Sequence, residues 1–222
     1  MKVTNFEILL HEMNCEKYGN CGCPVLKKVT ECKYLGIIID NVWKFKTHIH
    51  ELITRLRKTL PVLYKVRTWL SKSTKINLFN AWIMSIMKYG CSIYGSTTKS
   101  TLERLQKLQN KAVKVLFGHY TNKSTSQLYS ENGIFTLNQL YTYEHITRNY
   151  FSNKHKIFNE RNSRANNNWI KLPLWRNSYG KRNQDFVIPW IFNKIPLLLR
   201  NVQTVCKMKY EIKKWVLTSS GK

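Results

Sequence analysis

Apolar and polar positions follow different rhythms along this chain, and each rhythm predicts a different element. From Val29 to Asp40 the run VTECKYLGIIID is β-branched and aromatic. It predicts a strand, with Gly36 marking a tight bend or a close backbone approach. Phe6 to Leu10 predicts a partner strand, and Asn14 to Pro24 a loop. From Thr47 to Leu70 the apolar residues fall at Ile49, Leu52, Ile53, Leu56, Leu60, Leu63, Val66 and Leu70, which is helical spacing. Pro61 lies inside that run; an interior proline costs about 3 kcal/mol, so a kink or break is expected there.

Ser71 to Thr74 offers N-cap residues for a second helix through Ile76, Phe79, Trp82, Ile83, Ile86 and Met87, stopping near Gly90 or Gly95. That segment is apolar nearly all round, which predicts burial on every side. Thr101 is the expected cap of a third helix, Leu102 to Phe117, with Gly118 as its C′ residue. At about 100° per residue, Leu102, Leu105, Leu108, Ala112, Val113 and Leu116 share one arc. Arg104, Lys107, Lys111 and Lys114 share another, and their stripe rises about 15 Å along the helix. Arg55, Lys58 and Lys65 project from the polar side of the first helix. Three helices on short links predict a small bundle.

Further on, Thr136 caps an expected helix from Leu137 to about Phe151, and Asn159 to Asn168 reads as a loop. An aromatic and proline cluster fills Phe186 to Arg200. A last amphipathic helix near Lys207 to Leu217 presents Met208, Ile212 and Trp215. Trp190 and Trp215 read as core residues. The class is mainly α with a short N-terminal β element, divided into residues 1–46, 47–118 and 119–222, with a loop near 159–185.

Composition changes this picture in two ways. With 43% apolar and 13% aromatic residues, the chain has ample material for a core, which excludes a disordered tail. No uninterrupted apolar run approaches the roughly 18 residues of a membrane span, so no membrane partner is expected. Six cysteines with no leader-like segment at the N-terminus fit a reducing, intracellular setting, cytoplasmic or nuclear.

Charge carries more. The formal net charge is +25, from 37 basic and 12 acidic residues. Residues 1–51 hold seven basic and six acidic groups, whereas residues 52–118 hold thirteen basic groups and the single acid Glu103. Residues 119–222 hold seventeen basic and five acidic groups. Like charge at that density repels itself and calls for a polyanionic partner; interleaved aromatics favour nucleic acid. Tyr179 and Trp175, among Arg176, Lys181 and Arg182, could stack on unpaired bases.

Three stretches together resemble a known family. Lys33-Tyr34-Leu35-Gly36-Ile37-Ile38-Ile39-Asp40, followed by Trp43 and His48-Ile49, is similar to the end of the reverse transcriptase domain of LINE-type (non-LTR) retrotransposons. Ser85-Ile86-Met87-Lys88-Tyr89-Gly90 and Leu105-Gln106-Lys107-Leu108-Gln109-Asn110-Lys111-Ala112 resemble that family's thumb helices. Tyr179-Gly180, Phe192-Asn193-Lys194-Ile195-Pro196 with Arg200, and Met208-Lys209 resemble the segment after the thumb, with Phe192 and Met208 replacing the family's tryptophan and phenylalanine. The resemblance implies a palm-edge strand in which Tyr34, Leu35 and Gly36 help hold a primer end. It further implies a thumb that grips template-primer RNA or DNA; pairing with an intact polymerase in trans belongs to the competing reading of the chain as a scaffold.

A polymerase needs paired carboxylates holding two divalent cations about 4 Å apart. This chain has two aspartates, Asp40 and Asp185, 145 positions apart, and no adjacent acids. The resemblance places neither at the family's Mg²⁺ site, so the expectation is a truncated copy with no catalytic residue and no cofactor of its own. The competing expectation is a domesticated stand-alone nucleic-acid-binding module or scaffold. His11, Cys15, Cys21, Cys23 and Cys32 lie close together, but lack paired C-x₂₋₄-C units, so free thiols are expected rather than zinc. Cys91 and Cys206 read as buried.

Overall fold

The computed structural model describes residues 27–118, 122–150, 170, 172–175, 177, 179–200 and 202–218. The expected strand at Phe6–Leu10, the loops at Asn14–Pro24 and Asn159–Asn168, and His11, Cys15, Cys21, Cys23 and Arg176 lie outside the described residues. The chain divides into two units, Met1–Trp43 and Lys44–Lys222. The architecture is mainly helical, with one small antiparallel sheet.

In the first unit, the expected single strand is two. β1 (Glu31–Tyr34) and β2 (Ile37–Asp40) pair antiparallel, Glu31 opposite Asp40 and Tyr34 opposite Ile37. The bend expected at Gly36 is a complete reversal made by Leu35 and Gly36, both at positive φ (46° and 79°). Two successive left-handed residues form the turn whose twist suits a two-residue hairpin, and glycine reaches that region without strain. Leucine does not, which is why this turn escapes a search for Asn-Gly or Asp-Gly. Asp40 closes the hairpin by accepting the Val42 N–H at 3.0 Å.

The second unit is built on α1 (Lys46–Val66), which does not break at Pro61. Pro61 and Arg57 are both exposed, so the carbonyl that loses its intrahelical partner belongs to a residue on the open side of the helix, where solvent can replace the lost bond. The buried face of α1 is His48, Ile49, Leu52, Ile53, Leu56 and Leu63. Ser71 caps α2 (Lys72–Phe79), accepting the Thr74 N–H at 3.3 Å. The helix then widens through a π-helical stretch, Asn80–Met84, into α3 (Ser85–Lys88). Phe79, Ile83, Met84 and Met87 face inward, while Trp82 stays 39% exposed. The segment is thus buried on one face only, correcting the expectation of burial all round. A short turn, α4 (Cys91–Tyr94), comes next; the Tyr94 hydroxyl donates to the Met87 carbonyl.

The third long helix, α5 (Lys99–Phe117), packs along α1. Its cap is Thr98, not Thr101, whose side chain is buried and bonded to Thr98 Oγ1 at 2.7 Å. Gly118 ends the helix, though not in the left-handed conformation. Its smallness matters for another reason: a Cβ there would sit 3.2 Å from Leu128 Cδ1. The next two helices, α6 (Thr125–Asn132) and α7 (Leu137–Asn149), open with capping boxes, Ser124 with Gln127 and Thr136 with Gln139.

The C-terminal part comprises α8 (Gln184–Lys194), α9 (Leu197–Arg200) and α10 (Val205–Thr218). The Phe192-Asn193-Lys194-Ile195-Pro196 run with Arg200 serves as a clamp. Asn193 bonds both the N–H and the carbonyl of Ile170, at 2.9 and 2.8 Å. Arg200 donates to the carbonyls of Ile195 and Asn193, each at 2.8 Å. Met208 and Ile212 are buried as expected, but Val216 rather than Trp215 completes the inner face of α10. Trp190 is 42% exposed beneath the Lys194 ammonium, 3.6 Å from the ring centroid, and is not a core residue. Cys206 is exposed, whereas Cys91 is buried as expected.

α7 also buries two titratable groups. Glu144 meets Lys88 at 3.2 Å and Arg148 at 3.3 Å. His145 Nε2–H donates to the Ser92 carbonyl at 3.2 Å, and its ring meets Tyr141 edge-on at 4.4 Å. Burial lowers the imidazole to about 4, with Arg148 pushing the same way and the Ser92 carbonyl and Glu144 opposing. Between about pH 6.5 and 4 the unfolded chain therefore binds a proton that the folded chain refuses, and stability falls as the pH drops. We expect the melting temperature to decline across that window, and His145→Gln to flatten the decline relative to wild type in a pH series of thermal melts.

Candidate nucleic-acid interface

A groove is lined by residues of α1 and α5, and which side chains enter its lining is set by the phase of each helix. On α5 the apolar arc holds Leu105, Ala112, Val113 and Leu116 against the core. Arg104, Lys107, Lys111 and Lys114 come round three or four residues apart on the outer side, and all four are exposed. Among the described residues none of the four makes an ion pair, and Glu103 beside them makes none either.

One part of the groove, about 550 Å³, has Ile53, Leu60 and Leu108 as an apolar floor and Arg57, Arg104, Lys107 and Lys111 as walls. A second part, about 560 Å³, is lined by Arg67, Lys107, Lys111 and Lys114 with Asn110 and Thr125. Lys107 and Lys111 belong to both, so the two parts form one continuous cationic track. Among the described residues six basic side chains border it, and no carboxylate lines it.

α5 is held in place by an amide network on its remaining face. Gln106 Nε2 donates to Asn110 Oδ1 at 2.7 Å and to the Tyr129 hydroxyl at 3.0 Å, and Tyr129 in turn donates to Asn110 at 2.9 Å. Gln106 Oε1 accepts the Leu137 N–H at 2.8 Å. Gln109 is fully buried and donates to the Phe135 carbonyl at 2.7 Å. These amides tie α5 to α6 and to the start of α7, fixing the rotation that turns the lysines outward. Burial pushes the Tyr129 phenol upward, against the Gln106 hydrogen bond, so it remains a neutral donor.

Arg55, Lys58 and Lys65 are exposed on α1 but line neither part of the groove. Arg55 is engaged with Glu51 at 2.8 Å, an exposed i, i+4 pair of small energetic weight. Their places in the groove are taken by Arg57 and Arg67, which the helical periodicity does not single out. A signal exists all the same: Arg57 stands four residues after Ile53 and three before Leu60, at the margin of the apolar stripe. Tyr34 and Leu35 are well exposed at the hairpin tip, with Gly36 completing the turn. Trp175 is 41% exposed and lies against Gly180, where a Cβ would come within 2.6 Å of its ring. The Arg182 guanidinium sits 5.5 Å from the Tyr179 ring centroid.

Asp40 is occupied with the hairpin turn, and Asp185 with Asn183 in the first turn of α8. Among the described residues no three His, Cys, Asp or Glu side chains gather as a metal-binding group. No described helix is long and apolar enough to cross a membrane.

No protein-family model matches the chain, and no solved structure does. Curated relatives do match. A Drosophila melanogaster protein named "Probable RNA-directed DNA polymerase from transposon X-element" is 34% identical over 89 residues, 39% of this chain and 10% of that protein. The RNA-directed DNA polymerase from mobile element jockey of Drosophila funebris is 29% identical over 98 residues, 42% of this chain and 11% of that protein. Its Drosophila melanogaster counterpart is 30% identical over 89 residues. The chain thus spans about a tenth of the length of these relatives. Over about 40% of its residues the chain is similar to RNA-directed DNA polymerases of mobile elements, which supports the resemblance to part of a LINE-type, non-LTR retrotransposon reverse transcriptase.

Proposed function

We propose that this chain grips the sugar-phosphate backbone of an RNA or DNA duplex, as the thumb of a reverse transcriptase would grip template and primer, and performs no polymerase chemistry of its own. The observation that carries the reading is the cationic track: Arg104, Lys107, Lys111 and Lys114 on one helix, faced by Arg57 and Arg67 from another. Lysines spaced along one helix face suit a line of phosphates, and contacts of this kind position a duplex without reading its sequence. The names of the relatives, RNA-directed DNA polymerases, supply the substrate class. The hairpin tip at Tyr34-Leu35-Gly36 is the corresponding candidate for touching the primer end.

The catalytic half of the proposal rests on the donor set. Two Mg²⁺ ions need carboxylates converging from neighbouring positions. The only two aspartates serve a β-turn and a helix start. These residues do not fit such a centre.

Binding of a blunt duplex, followed by fluorescence anisotropy over a salt series, tests the grip. Six neutralised phosphates give a log K that falls by about 5 per decade of salt, at about 0.9 per phosphate. A flat response removes the reading. A primed template incubated with the chain, Mg²⁺ and nucleotides is expected to show no extension; an extended product refutes the catalytic half.

A further inference from the structure

The Arg67 end of the groove differs from the rest in what surrounds its cations. The Arg67 guanidinium carbon lies over the Tyr64 ring, 3.5 Å from its centroid. Its Nε–H is buried with no acceptor. Two residues on, the chain turns out of α1, the Trp69 N–H donating to the Val66 carbonyl at 3.1 Å. Trp69 is then 88% exposed, more than any other aromatic among the described residues, although a surface tryptophan of a folded chain usually lays most of its ring on a neighbour. Tyr64, under the Arg67 guanidinium, is 57% exposed. Three lysines, Lys107, Lys111 and Lys114, border the same part of the groove.

Cations alone suit any phosphate. Cations with a projecting, unpacked indole suit a nucleotide whose base is free to leave its stack, because every base offers a π-face and a paired base does not expose one. The Arg67 guanidinium, held over Tyr64, adds a second surface for a base two residues before Trp69 in the chain. We propose that this end of the groove is a single-strand subsite. There a nucleotide beyond the end of the duplex places its phosphate among Arg67, Lys107, Lys111 and Lys114 and stacks its base on Trp69. The inference rests on the duplex-gripping reading of the groove and adds to it a preference for a junction between paired and unpaired strand.

The test compares a blunt DNA duplex with the same duplex carrying a short single-stranded tail, in wild type, Trp69→Ala, Trp69→Phe and Tyr210→Ala. Tyr210 is 66% exposed on α10 and serves as a surface-aromatic control. The tailed duplex is expected to bind wild type roughly tenfold more tightly than the blunt one, the scale of one base stacked on an aromatic ring. Trp69→Ala should remove that preference while leaving blunt-duplex affinity and its salt slope intact; Trp69→Phe should retain much of it, and Tyr210→Ala all of it. Equal affinity of wild type for the two duplexes overturns the subsite, as does an unchanged preference in Trp69→Ala. If neither duplex binds in a salt-dependent way, the groove reading itself fails, which the blunt arm alone reveals. Trp69 has almost no packing to lose, and circular dichroism confirms that each variant is folded.

Discussion

Arg104→Ala, Lys107→Ala, Lys111→Ala and Lys114→Ala combined are expected to weaken duplex binding by a thousand- to ten-thousand-fold at 0.1 M salt, about 0.9 decade for each phosphate no longer neutralised, with 1 M salt as the reference. The salt slope should fall from about −5 to about −2, the share left to Arg57 and Arg67. Direction and slope have to move together. A loss of affinity with an unchanged slope would mean that the helix had shifted and not that phosphates had been released. The four side chains are exposed and unpaired among the described residues, so their removal leaves the core and the amide network untouched. Thermal melts of the variant should match wild type or rise slightly, because neighbouring like charges are gone. The corresponding triple variant at Arg55, Lys58 and Lys65 gives a graded comparison, since those residues stand outside the groove lining.

The largest expected loss of stability belongs to a residue with no side chain. Gly95→Ala places a Cβ 2.3 Å from Tyr141 Cδ2 and 2.5 Å from the Cys91 carbonyl oxygen. One of those is backbone and cannot swing aside. The other is an aromatic ring held against His145. Overpacking of this kind costs about 3 kcal/mol, the upper end of its usual range. For a chain of this size that corresponds to a drop in melting temperature of roughly 6–12 °C. Tyr141→Ala made in the Gly95→Ala background should lose less than the two single variants together, because the ring that is struck is no longer there. Simple additivity would show that the strain is relieved elsewhere.

How much of this can be read from residues alone varies with the kind of signal. The helix of the lysine stripe is plain in the sequence, because its apolar and basic arcs are both periodic and separate. So are the caps at Ser71 and Thr136, where a short polar side chain precedes an apolar run. The hairpin is hidden because its turn is Leu-Gly, and nothing in a leucine announces a left-handed backbone. Pro61 misleads in the opposite way: its cost assumes a buried carbonyl with no substitute partner, and on an exposed face water provides one. The π-helical stretch from Asn80 shifts the phase of the turns after it, so a 3.6-residue wheel drawn from Ser71 assigns Trp82 to the wrong side. Gln109 sits among polar neighbours in the sequence, and amides there usually face water. Its burial depends on a carbonyl, that of Phe135, 26 residues away. Arg57 and Arg67 become legible only with α5 lying across from them.

The two capping boxes have a consequence for how the molecule meets its surroundings. In both, the third residue of the helix is glutamine where glutamate would satisfy the same backbone N–H. Apart from Asp185 in α8, no helix whose first turn is described carries an acid there. The partial positive charge at each helix start is therefore left uncancelled and adds to the formal excess of the side chains. Such a field reaches beyond touching distance at low ionic strength, drawing polyanions inward from many directions before any docking geometry is tried. Capture would then be quick and forgiving, and the discrimination between good and poor ligands would fall to how slowly each one leaves.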